Sequence, residues 1–268
     1  MKNSKPRLSI VIPAYNEEKR IAGRLEDLSK TFESLRKKGV LDYELLIVIN
    51  NTKDKTETIV KSYQKRNRNI RYLNLKQGGK GFAIIEGFKD AIKRKDNSFI
   101  GFVDSDLSTT GKEYFRLFES LLSNLKDYDG IMASRYLKGA KVFPKPTMRR
   151  IIASRVYNLW IRALFLMPYA DTQCGAKIFK RAAIEKVANK LIITKWAFDV
   201  DLLYNLRKRG FKIKECPTVW SDSDYSKINF MSAGPLMALA MLRLRLLNSP
   251  FYFIVGYYDR INTKFFKK

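Results

Sequence analysis

The strongest constraint on this chain is an alternation in its first half, where short apolar runs are separated by stretches of helical period. Residues 8–12, 45–49, 70–75 and 99–103 are the apolar runs, and helical patterns begin near Glu17, Lys55 and Phe82. Strands spaced this way cannot close tight hairpins, so each helix must cross over to a parallel neighbour and cover the sheet it leaves. The expected fold class is therefore α/β, a mostly parallel central sheet flanked by helices. A helix near 113–123, a strand near 129–133 and a basic loop over 136–150 follow, with no internal repeat.

Open α/β sheets bind ligands just beyond the carboxyl ends of their strands. Four such ends are polar here: Pro13 to Glu17, Asn50 to Thr52, the glycine-rich 77–81 and the triplet Asp104, Ser105, Asp106. Two carboxylates separated by one residue after a strand can face one cation, and hard oxygen ligands suit Mg²⁺ or Mn²⁺ on a diphosphate. In isolation the triplet would equally suit a turn or a helix N-cap; its place among four converging strand ends favours the metal. The turn 77–81 opens a helix, where free N–H groups and Lys80 can receive a phosphate or ribose. It matches neither GxGxxG nor GxxxxGK[ST], which argues against a Rossmann dinucleotide site and a P-loop.

Composition narrows the chemistry further. The chain has no histidine, which removes Ser-His-Asp and Cys-His triads and histidine-ligated zinc, and leaves any metal to oxygen ligands. Cys174 and Cys216 have no metal-ligand spacing and read as buried thiols in a reducing compartment. Lys and Arg outnumber Asp and Glu by 52 to 26, a formal charge of +26, which calls for a polyanionic partner: nucleic acid, an anionic membrane or phosphorylated substrates. The basic residues are dispersed and no nucleic-acid-binding motif is present, so nucleic acid is not the expected partner.

Seven stretches carry a family resemblance: SIVIPAYNEE (9–18), KDKT (53–56), GGKGFA (78–83), VDSD (103–106), ASRYLKG (133–139), DTQCGAKIF (171–179) and WAFDVDLLY (196–204). With them the chain resembles the family 2 glycosyltransferases of GT-A fold. Within these it looks most like the dolichyl-phosphate β-glucosyltransferases, with the mannose synthases second. The resemblance implies a sugar nucleotide held by Pro13, Ala14, Tyr15, Glu17, Asn50 and Lys80, with the divalent metal on Asp104 and Asp106. It also implies a polyprenyl (dolichyl) phosphate contacted by Arg135, Arg149, Arg150, Ser154, Ser226 and Lys227. Arginine suits phosphate because its planar fork binds two oxygens. Asn50 stands where relatives carry aspartate, and an amide can pair with uracil, which favours UDP-glucose as donor over GDP-mannose. Ser108, where mannose synthases tend to place glutamine, points the same way.

A phosphate acceptor is already anionic near neutral pH, its second pKa being about 6, so no side chain need remove a proton from it. The expected reaction is an inverting displacement at the anomeric carbon, with Asp199 rather than Asp201 facing the crevice. A rival family 2 enzyme that elongates a glycan would need one of these two aspartates as a base. A non-enzymatic basic protein binding membrane or nucleic acid is the remote alternative.

Residues 1–228 are expected to form the GT-A domain, with a nucleotide-sugar half (1–134) and an acceptor half (135–228). Residues 229–268 are expected to form a basic and apolar interfacial segment. Neither of its apolar pieces reaches the roughly 20 residues of a spanning helix. The expected location is peripheral, on the cytoplasmic face of an anionic membrane.

Overall fold

In the computed structural model, which describes residues 5–192, 197–221 and 230–256, the alternating runs become consecutive strands and helices. They are β1 (Arg7–Ala14), α1 (Ile21–Lys37), β2 (Asp42–Asn50), α2 (Thr56–Arg66), β3 (Ile70–Leu75), α3 (Lys80–Lys93), β4 (Phe99–Val103) and α4 (Gly111–Leu122). The second half supplies β5 (Gly130–Ser134), β6 (Lys141–Phe143), α5 (Met148–Phe165), β7 (Ala176–Lys180), α6 (Arg181–Val187), α7 (Phe198–Lys208), β8 (Ile213–Pro217), β9 (Val219–Ser221) and α8 (Phe230–Leu247).

Seven strands form one sheet in the order β3-β2-β1-β4-β7-β5-β8, while β6 and β9 pair separately. All neighbours in the large sheet are parallel except β7, which runs antiparallel to both β4 and β5. From β1 the chain goes outward on one side to β2 and β3, then returns to place β4 on the other side. That reversal opens a crevice at the carboxyl ends of β1 and β4, where such sheets take their ligands.

Side-chain alternation along the strands divides the core in two. Leu45, Ile47 and Ile49 pack with α1, α2 and α4, whereas Leu46 and Val48 face α3 and the helices of the second half. Helix α3 lies so close to β1 that a β-carbon at Gly87 would overlap Val11, which accounts for a glycine inside a helix despite its cost of about 1 kcal/mol.

Two expectations need correction. Helix α1 starts at Ile21, because residues 17–20 form a turn in which the N–H groups of Arg20 and Ile21 both donate to the Glu17 carbonyl. The stretch 136–150 is not one loop: it contains β6 and the first turn of α5, whose Thr147 hydroxyl caps the Arg150 N–H. Helix α8 buries Met237, Met241 and Leu244, the last two inside the core shared with α3 and α7. Among the described residues no helix is long and apolar enough to cross a membrane.

Candidate active site

The loops beyond β1 and β2 are laced together by reciprocal hydrogen bonds. The N–H of Glu17 donates to Thr56 Oγ1 (2.8 Å), that of Glu18 to Asp54 Oδ2 (3.0 Å), and that of Lys53 to Asn16 Oδ1 (2.9 Å). Asn16 and Asn51 both adopt the left-handed conformation that asparagine tolerates best after glycine. The KDKT stretch thus clamps the turn that follows β1.

Pro13, Tyr15, Glu17, Asn50, Lys80, Asp104 and Asp106 line one crevice of about 590 Å³, with Ala14 buried behind it. Tyr15 is exposed at the mouth. Glu17 is buried and held by a two-pronged bond from Arg20 (2.6 and 2.7 Å); burial raises its carboxyl above the ordinary range despite Arg20. Asn50 is buried, and its amide donates to the Ala14 carbonyl (2.7 Å) and accepts from Gly79 N–H (2.9 Å). Its polar atoms therefore fasten β1 to the glycine-rich turn. Gly79 has φ +126°, a conformation open to glycine, and aims the start of α3 at the crevice.

Asp104 and Asp106 project from the end of β4. Lys80 Nζ lies 2.7 Å from Asp104 Oδ1 and donates to Oδ2 at 2.9 Å. Burial raises the Asp104 carboxyl, with Asp106 adding to the shift and Lys80 opposing it. On Lys80 burial acts against the charge, but Asp104 and Asp199 outweigh it and hold the ammonium above its ordinary value. Asp106 Oδ1 accepts from Ser108 N–H (3.0 Å), while Leu107 takes a left-handed turn between them. Beneath this loop the fully buried Arg24 donates to the Thr109 carbonyl (2.8 Å) and approaches Asp27 at 3.4 Å.

Among the described residues no third Asp, Glu or Cys joins these two carboxylates in a metal-binding group. Two carboxylates, with Asp104 Oδ1 buried and faced by the Lys80 ammonium alone, still fit Mg²⁺ or Mn²⁺. Such ions are commonly held by one or two carboxylates, the substrate phosphates and water.

Asp199 opens α7, and its Oδ1 accepts from Lys177 Nζ at 2.5 Å. Lys177 is fully buried in β7 and also donates to the Cys174 carbonyl (2.6 Å). Asp199 is close enough to act on the charges of both Asp104 and Lys80, but it is buried and is not among the residues that line the crevice. Asp201 points away, accepting from Ile192 N–H and Asn205 Nδ2 (2.7 and 2.8 Å). Burial pushes the Cys174 thiol up to about 12, which leaves it protonated and unsuited to nucleophilic chemistry.

In the second half, Arg135 donates through Nε and Nη2 to the buried Asp171 (2.8 and 2.9 Å) and lies over the rings of Tyr136 and Trp220. Much of its fork is spent inside the protein. Arg149 is exposed and Arg150 half-buried in the first turn of α5; Ser154, one turn on, donates to the Ile151 carbonyl (2.9 Å). Ser226 and Lys227 lie outside the described residues. Arg24, Lys177 and Asp171 escaped sequence reasoning. The one available signal was Lys177, a lysine within the otherwise apolar run 176–179.

A GT-A sheet with a carboxylate pair at its switch point defines a nucleotide-sugar transferase fold. Residues 9–188 match the model for glycosyl transferase family 2, and the chain belongs to that family; it is a glycosyltransferase. It is 32% identical over 245 residues to a dolichyl-phosphate beta-glucosyltransferase of Dictyostelium discoideum, covering 89% of this chain and 73% of that protein. The protein of the same description from Homo sapiens is 29% identical over 230 residues, covering 83% and 69%. Glucosyl-3-phosphoglycerate synthase from Mycobacterium tuberculosis, solved with Mn²⁺, UDP-Glc and phosphoglyceric acid, has a TM-score of 0.63 at 15% identity over 90% of this chain and 79% of that one. At that identity the likeness concerns the fold.

Proposed function

We propose that this enzyme transfers glucose from UDP-glucose to a polyprenyl phosphate of the dolichyl type, with inversion, using a divalent cation held by Asp104 and Asp106. The observation that carries the reading is the state of the two aspartates of WAFDVDLLY. Asp199 is tied to the buried ammonium of Lys177 at 2.5 Å, and Asp201 is turned into the protein. A buried carboxylate whose oxygen is taken up by a lysine ammonium is badly placed to remove a proton from an acceptor hydroxyl, so the site is better matched to an acceptor that arrives ionised. Relatives that share most of this chain's length and are described as dolichyl-phosphate beta-glucosyltransferases support the choice of glucose and lipid phosphate.

The chain's own residues have definable tasks in this scheme. Asp104 and Asp106 would hold the metal, which when bound supplies positive charge to the departing diphosphate. Lys80 adds a fixed cation beside them, and the free N–H groups at the start of α3 offer donors to phosphate oxygens. Asp199 orients sugar hydroxyls, positioned by Lys177. Arg149 and the α5 N-terminus approach the acceptor phosphate, with Arg150 and Ser154 alongside; Ser226 and Lys227 are further candidates. Arg135 acts through Asp171 by holding the end of β5. The acceptor oxygen bonds to the anomeric carbon as the bond to the nucleoside diphosphate breaks, and no proton has to move.

Donor choice is tested by competition. With Mg²⁺ or Mn²⁺ and dolichyl phosphate, UDP-glucose is expected to give a glucosyl lipid and GDP-mannose none. A mannosyl lipid formed from GDP-mannose at a comparable rate would reassign the donor.

A further inference from the structure

Helix α5 is apolar on two sides. Its inner side buries Ile161 and Phe165 in the core, while its outer side shows Met148, Ile152, Val156 and Leu159 at 70, 57, 62 and 63% exposure. Spacings of four and three residues keep these four, with Trp160, within roughly a third of the helix circumference. Soluble proteins seldom leave such a stripe uncovered, and a helix apolar on both faces needs a second apolar environment beyond the core.

Charge identifies that environment. From Gly130 to Ala170 the chain has no Asp or Glu but eight Lys and Arg residues. Arg155 and Arg162 are both exposed and flank the stripe, and Arg149 stands at its N-terminal end. A second apolar and exposed element, Phe251, Tyr252 and Phe253, follows directly on α8, which touches α5 and donates from Arg245 Nε to the Leu164 carbonyl (3.0 Å). A second copy of the chain would bring like charges together on this face. An anionic bilayer satisfies both features at once, taking the stripe among its acyl chains and the arginines at its headgroups.

Resting on the lipid-phosphate reading of the acceptor, we infer that the outer face of α5 docks this enzyme on anionic membrane, and that α8 serves as the scaffold behind it. This arrangement places Arg149 and Arg150 at headgroup depth, where the phosphate of a membrane-anchored acceptor lies.

The test uses the full chain and vesicles free of polyprenyl phosphate, made of phosphatidylcholine with or without phosphatidylglycerol. Co-sedimentation is expected with the anionic vesicles and is expected to weaken with salt. Val156→Asp with Leu159→Asp should reduce it roughly tenfold or more, since both side chains enter the acyl region on binding. Val40→Asp, an exposed site on the α1–β2 turn, should leave it unchanged. Both substituted positions on α5 are solvent-facing, so an unaltered melting temperature is expected; Arg162→Glu provides a second variant, weakening binding to anionic vesicles. Vesicle binding by the double variant equal to that of the unaltered chain would overturn the inference. So would loss of a dimer, rather than loss of vesicle binding, as the variant's effect. Transfer to a short, water-soluble polyprenyl phosphate should survive in the double variant. No transfer to that acceptor by either chain would defeat the acceptor reading independently of the docking result.

Discussion

The carboxylate of Asp104 lies directly over Gly175, so close that a β-carbon on the glycine would overlap Oδ2, and the Asp104 N–H donates to the Gly175 carbonyl at 3.0 Å. The metal-binding candidate and the DTQCGAKIF stretch, far apart in sequence, are thus two halves of one contact. Gly175 has no left-handed backbone angle, so its requirement is space alone.

Gly175→Ala should therefore spare the fold and damage the site. The displaced carboxylate is expected to cost about 100-fold or more in kcat/KM, about 2.7 kcal/mol of transition-state stabilisation. Steady-state kinetics with a melting curve beside them check this; a variant that melts normally and transfers sugar normally would contradict it.

The Lys177–Asp199 pair is buried on both sides. Lys177→Met strands a buried carboxylate and should destabilise the protein by about 3–5 kcal/mol, whereas Lys177→Met with Asp199→Leu should recover much of that loss. Activity is expected to stay low in both, because the carboxylate proposed to orient the sugar is misplaced in one and missing in the other. Denaturant unfolding and transfer assays on the double-mutant cycle separate the two effects.

Arg24 should matter to the metal more than to the fold. Exchanging its buried guanidinium for Met removes the bond to the Thr109 carbonyl, but Asp27 is partly exposed and still accepts from Gly111 N–H, so the cost should stay near the roughly 1–3 kcal/mol of a buried carbonyl left unpaired. The metal concentration for half-maximal activity is expected to rise about tenfold as the loop after Asp106 loosens. A metal titration of transfer activity reads this directly.

Asp201 provides a pH signature distinct from catalysis. Burial pushes its carboxyl up to about 6 from 3.8, with the Ile192 and Asn205 hydrogen bonds opposing the shift. Between those values the folded protein keeps a proton that the unfolded chain releases. Its contribution is therefore complete below pH 3.8 and is lost as pH rises through 6, about 3 kcal/mol in all. Melting temperatures across that window should fall in the unaltered chain and flatten in Asp201→Asn, with transfer activity retained.

Much of the architecture was legible because apolar alternation is a local property. The runs at 8–12, 45–49, 70–75 and 99–103 needed no tertiary information to be read as parallel strands, and their ends gathered the crevice residues. What escaped depended on distant partners. The antiparallel insertion of β7 between β4 and β5 is what seats Gly175 under Asp104, and nothing within 171–180 announces that pairing. The bonds of Asn50 to Ala14 and Gly79 cross between separate loops and could not be read locally. Burial of Met241 and Leu244 in α8 is set by the other helices of the core, and the exposed stripe sits on α5, whose N-terminal turn was hidden in a basic, proline-containing stretch.

The most direct test of metal-assisted, inverting transfer to a lipid phosphate is the anomeric configuration of the product. NMR coupling constants of the lipid formed from UDP-glucose and dolichyl phosphate should show a β-linked glucosyl phosphate. It should form only with a divalent cation present, and not with Asp104→Asn or Asp106→Asn. An α-linked product, or undiminished β-product after chelation of the metal, would contradict that chemistry.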